Sequence, residues 1–158
     1  MLDRALPRSL DDTYRGHKLA LWLLGLVVFG KIAIGLNSIF NGYSVASTAD
    51  GIPLDTFTAD GARAVVSLFA IWGLSQLLFG LLGVLALVRY RSLVPFMFAL
   101  LLLEHLSRKA ILLFLPVVKT GTPPGSAVNL VFLSLMIVGL ALSWPRRMPA
   151  RHPRELRE

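Results

Sequence analysis

Apolar residues run along this chain in four long blocks separated by short polar breaks, each long enough to ask for a helix rather than a strand. The blocks cover residues 18–40, 62–88, 92–116 and 127–144. At 1.5 Å per residue, roughly 20 apolar residues cross a hydrocarbon layer of about 30 Å. The pattern therefore predicts an all-α fold: an integral membrane four-helix bundle over residues 17–144.

The polar breaks set the connections. Residues 41–61 form the longest loop, which holds Asp50, Asp55 and Asp60 and no lysine or arginine. Thr48-Ala49-Asp50-Gly51 recurs as Thr58-Ala59-Asp60-Gly61, but Asp-Gly is ordinary turn chemistry. The acids are too sparse for a calcium loop, and Asp60 is expected to cap the second helix. Arg89-Tyr90-Arg91-Ser92 is short enough to fold the second and third blocks into an antiparallel hairpin, with Pro95 in the first turn of the third. In the second block Ala70, Gly73, Gln76, Gly80 and Gly83 share one face, which lets a neighbouring helix approach closely. Gln76 on that face is expected to serve packing more than a ligand. Gly25, Gly30 and Gly35 are spaced by five and fall on different faces.

Residues 1–16 and 145–158 read as tails, the second basic and proline-containing. A cleaved leader is the less favoured reading of the start. The first apolar block is longer than an export segment of about 7–15 residues and carries Lys31.

Composition sharpens the assignment. The chain is 55% hydrophobic and 16% charged, against roughly 45–50% and 25% for soluble domains, and its apolar residues are clustered. The net charge of +7 is therefore read as membrane orientation and contact with anionic lipids, not nucleic acid. Arg4, Arg8, Arg15, Lys18, Arg89, Arg91, Arg146, Arg147, Arg151, Arg154 and Arg157 fall on one side; only Arg63 and Lys119 fall on the other. Both termini are expected in the cytoplasm, and the location expected is a bacterial inner membrane. The absence of cysteine excludes thiol exchange, zinc–thiolate and iron–sulfur chemistry. No catalytic triad, metal-ligand spacing or phosphate loop is present, so no catalytic residue, metal or cofactor is expected. His105 alone is a poor haem ligand.

The chemistry lies in the third block, where Glu104, His105, Arg108 and Lys109 interrupt the apolar run. Neither flanking piece could cross a bilayer alone, so the charges lie within the span. Ionisable residues there are expensive; they pair, line a cavity or do work. Lys31 and Glu104 stand at equal depth, about 18–20 Å from the cytoplasmic side, on helices running the same way. They are expected to pair. Arg108 can reach Glu104 along its own helix, while Lys109 can snorkel outward. Asn37, Arg63 and Asn129 are expected to join, giving a pocket with an excess of positive charge.

Arg89-Tyr90-Arg91-Ser92-Leu93-Val94-Pro95, followed by Leu103-Glu104-His105-Leu106-Ser107-Arg108-Lys109, gives the chain a likeness to small bacterial four-helix inner-membrane proteins. In architecture it resembles the DoxX-like group. It is unlike the quinone-linked thiol oxidases, which need cysteine, and unlike small multidrug exporters, whose functional glutamate lies in the first span. The function expected is binding or passage of a small anionic or lipid-like molecule, or of protons through Glu104 and His105. Three other readings stand beside it, the least favoured being an enzyme acting on lipid or quinone. The buried charges can serve helix register alone, or they can dock another membrane protein as an accessory subunit. The partners expected are membrane lipids, such a ligand, a second copy or a membrane protein.

Overall fold

The computed structural model describes residue 14 and residues 16–144; the expected tails, apart from Tyr14 and Gly16, lie outside the described residues. Among the described residues the structure is helical, without strands. Four long helices dominate: α1 (Lys18–Phe40), α2 (Ala59–Val88), α3 (Val94–Phe114) and α4 (Pro124–Ser143). The first expected block coincides with α1. Helix α2 starts three residues before the expected boundary, and α4 likewise, with Pro124 in its first turn.

Helix α2 starts early because its cap is Thr58, whose hydroxyl accepts the Gly61 N–H at 3.2 Å. The expected cap, Asp60, lies within the first turn instead. Thr58→Ala is expected to cost about 1 kcal/mol, the usual worth of an N-cap, whereas Asp60→Ala should cost less. Denaturation of the two variants in the same detergent checks the order.

Among the described residues three helices are long and apolar enough to cross a membrane: α1, α2 and α4. Helix α3 has the length, with 21 residues, but Glu104, Arg108 and Lys109 interrupt its apolar run. The outward surface is apolar too. Trp22, Phe29, Phe40, Leu113 and Phe114 are each more than 70% exposed. Soluble monomers rarely expose contiguous apolar patches beyond a few hundred Å². An apolar solvent such as lipid explains this surface: the chain has the character of a membrane protein.

The core follows the sequence spacing. Helix α1 buries Ala20, Leu24, Val27, Val28, Lys31, Gly35 and Ser38, a stripe at steps of three and four. Helix α2 answers with Gly73, Gln76, Gly80, Gly83 and Ala86. These two helices form the most extensive contact in the fold. Gly35 and Gly73 are the reason: a Cβ on either would stand 2.7 Å from the other's carbonyl oxygen. Gly80 and Gly83 admit Ile32 and Val28 in the same way. Helix α3 lays Val94, Met97, Phe98, Leu101 and His105 inward and packs mainly on α4, with the Phe98 ring over Gly139. The three spaced glycines of α1 do meet different surroundings. Gly35 faces α2, Gly30 faces Phe132 of α4, and Gly25 faces nothing within 4 Å.

Helices α2 and α3 are joined by the expected short turn, which includes a 3-10 segment Arg91–Leu93. They are not closely packed partners, however. The close-packing face of α2 is spent on α1, so α2 and α3 diverge and leave space between them. The N–H of His17 donates to the Leu142 carbonyl at 3.0 Å, tying the start of α1 to the end of α4. Beside that tie Tyr14 packs on the core, and burial pushes its hydroxyl pKa up to about 12.

At the other end, residues between α1 and α2 build a second small core of Ala46, Ile52 and Leu54 against Ala62, Val65, Val66 and Phe69 of α2. Gly51, at φ +72°, makes the turn there in a backbone region that side chains disfavour. Its carbonyl accepts both the N–H and the hydroxyl of Thr120, at 2.8 and 3.1 Å. The α3–α4 connection is thereby strapped to the α1–α2 connection.

Candidate functional site

Besides the small Ser38 of α1, the inward stripes of α1, α2 and α3 carry a long polar side chain each where an apolar one would continue the pattern: Lys31 in α1, Gln76 in α2 and His105 in α3. All three lie between the large core and the small one. Glu104, adjacent to His105, brings the acid. Lys31 Nζ lies 2.7 Å from Glu104 Oε2, so the pair expected from equal depth forms. Lys31 also donates to Gln76 Oε1 at 2.6 Å, and Gln76 Nε2 donates to Glu104 Oε1 at 3.1 Å. The three side chains close a ring, with Lys31 only 4% exposed. Charge-assisted bonds of this kind are roughly twice as strong as neutral ones, and the low local dielectric strengthens them further.

Arg108 extends the network outward. Its Nε lies 3.9 Å from Glu104 Oε1, one helical turn away. An Nη donates to Asn129 Oδ1 at 3.1 Å and approaches His105 Nδ1 at 3.4 Å. Arginine is a donor only, so His105 Nδ1 is the acceptor and a neutral ring carries its hydrogen on Nε2. That Nε2 is buried and has no hydrogen-bond partner among the described residues. The guanidinium also lies over Trp72, 5.1 Å from the ring centroid, and Phe69 meets Trp72 edge-on.

Where α2 and α3 diverge, a cavity of about 570 Å³ opens beside Arg108. Basic groups on it are Arg108, Lys109 and Lys119; the one acid is Asp50, 3.9 Å from Lys119. Its apolar wall includes Leu68, Trp72, Leu112 and Leu113. Lys109 makes no hydrogen bond or ion pair among the described residues, and it is exposed as a snorkelling lysine would be.

The expected site residues thus separate into three groups. Lys31, Gln76, Glu104, His105, Arg108 and Asn129 come together in one network. Lys109 joins them through the cavity wall rather than through a bond. Asn37 and Arg63 do not join. Asn37 is exposed and accepts from Asn41 at 2.9 Å, and Arg63, 78% exposed, pairs with Asp60 at 3.7 Å. Both lie on exposed sides of their helices: Asn37 falls between Gly35 and Ser38 of the buried stripe, and Arg63, just past the first turn of α2, faces outward beside Asp60. Gln76 serves more than packing, since it bonds both charges.

Trp72 and Lys119 escaped the sequence reading. Trp72 stands one turn before Gln76, so their shared face was a usable signal. Lys119 had no such marker, because its place depends on the strap to Gly51. Among the described residues no group of three or more His, Asp or Glu side chains gathers as a metal site. Comparison with protein families, curated proteins and solved structures found no match to the chain.

Proposed function

We propose that the chain is a four-span protein of a bacterial inner membrane, both termini cytoplasmic, that binds a small anionic or lipid-like molecule beside Arg108. The three apolar helices and the lysine and arginine bias support the spans and the orientation. The pairing of Glu104 with Lys31 inside the protein supports α3 as a fourth span. The likeness to DoxX-like proteins fits this plan and adds no chemistry to it.

The observation that carries the binding reading is the charge around the cavity: three basic side chains against the single acid Asp50. An ion-pair network kept only for register would need no such surplus. Passage of protons through Glu104 is the weaker form of the proposal, because Lys31 and Gln76 already occupy both carboxylate oxygens.

Mass spectrometry of material copurifying in mild detergent is expected to show an anionic species, lost or strongly reduced in Arg108→Gln. A folded wild-type protein carrying no anion would overturn the reading. The accessory-subunit alternative draws on residues 109–118, all exposed and mostly apolar after Lys109. A stable hetero-complex on blue-native electrophoresis, with no bound anion, would favour it.

A further inference from the structure

Resting on that reading, we infer that the ligand is an acidic lipid, its phosphate or carboxylate head held by Arg108 and Lys109 and its chain leaving between α2 and α3. Three observations converge on this pose.

The first is charge. Arg108 uses only part of its five-donor fork on Asn129 and His105, and Lys109 is free of protein partners among the described residues. The second is an anchored cation. Trp72 lines the cavity, and the Arg108 guanidinium lies over its ring, 5.1 Å from the centroid. That stacking holds the Arg108 charge at the cavity, where an anionic head group can meet it. The third is the wall. Beyond the basic groups the surface becomes apolar through Leu68, Leu112 and Leu113, with Leu113 82% exposed on the outward side. A free inorganic anion has no use for that wall, whereas an acyl chain continues along it into the bilayer.

Depth agrees. Arg108 precedes the end of α3 at Phe114 by six residues, about 9 Å along the axis. That level suits a lipid head at the boundary of one leaflet. The volume, about 570 Å³, lies in the range of small-molecule sites, roughly 300–1,000 Å³. It can take a head and the start of a chain while the remainder stays in lipid.

The test uses full-length protein in nanodiscs and a Trp22→Phe/Trp144→Phe background in which Trp72 is the only tryptophan. Dioleoyl phosphatidate with brominated chains is compared with phosphatidylcholine carrying the same chains, and with inorganic phosphate as competitor. Phosphatidate is expected to quench Trp72 at a much lower mole fraction than phosphatidylcholine. Lys109→Gln should weaken that preference about fivefold, and Lys109→Glu more, by the usual worth of a lysine near an anionic lipid.

Lys109 is exposed, so both variants should fold, as circular dichroism can verify. Equal quenching by the two lipids, or an unchanged preference in Lys109→Glu, overturns the assignment. Full displacement of the phosphatidate by millimolar phosphate also overturns the lipid assignment, while leaving an anion site in place. Binding of neither phosphatidate nor phosphate removes both this inference and the broader reading it rests on.

Discussion

Lys31→Met is expected to destabilise the protein by about 3–5 kcal/mol, the usual consequence of removing one partner from a buried ion pair. The substitution keeps the bulk of the side chain and removes the charge. Glu104 would then retain only Gln76 and the more distant Arg108, 3.9 Å away. A carboxylate in that position, mostly removed from solvent and without its close cation, is poorly stabilised. Glu104→Gln in the same chain should recover at least half of the loss, because an amide can still bond Gln76 without carrying a charge. Equilibrium unfolding in mixed micelles of the two single variants and the double variant forms a thermodynamic cycle. Strictly additive losses would mean that the two side chains do not depend on each other, and the central network would lose its meaning.

Gly73→Val should be at least as damaging, by more than about 3 kcal/mol. Overpacking that side chains can absorb costs about 1–3 kcal/mol. Here the obstruction is backbone: the added Cβ would stand 2.7 Å from the Gly35 carbonyl oxygen and 2.8 Å from the Ser38 Cβ. Neither atom is the far end of a flexible side chain, so α1 and α2 would have to separate. That separation would also draw Lys31 away from Gln76 and Glu104, so the variant should lose ligand along with stability. Gly25→Ala provides the control on the same fold. A Cβ there meets nothing within 4 Å, and replacing a mid-helix glycine should stabilise by about 0.5–1 kcal/mol. Equal behaviour of the two variants in detergent unfolding would show that α1 and α2 do not meet through their glycines.

Much of this protein follows from periodicity. The apolar blocks mark the long helices because helix length and lipid thickness are fixed quantities. The stripe of small residues on α2 foretold a close neighbour because backbone approach within lipid requires it. The Lys31–Glu104 pair was legible because Lys31 is the one charge inside the first apolar block and Glu104 the one acid inside the third, and equal depth on two helices leaves each an evident partner. Polar residues with alternatives were harder to place. Asn37 and Arg63 lie near helix ends, where solvent satisfies them as well as any partner, and their spacing alone set no preference.

The chain by itself therefore determined the helices, the faces they bury and the charges that cannot be left alone, since these are properties of local spacing and of transfer from water. Only the tertiary structure decided that α2 turns its glycines to α1 and diverges from α3. It likewise decided that Trp72 lies under Arg108, and that the strap from Gly51 to Thr120 brings Lys119 to the cavity. Those outcomes depend on which of several compatible surfaces pack together. Such choices rest on shape matching between residues far apart in the chain, which no local pattern encodes.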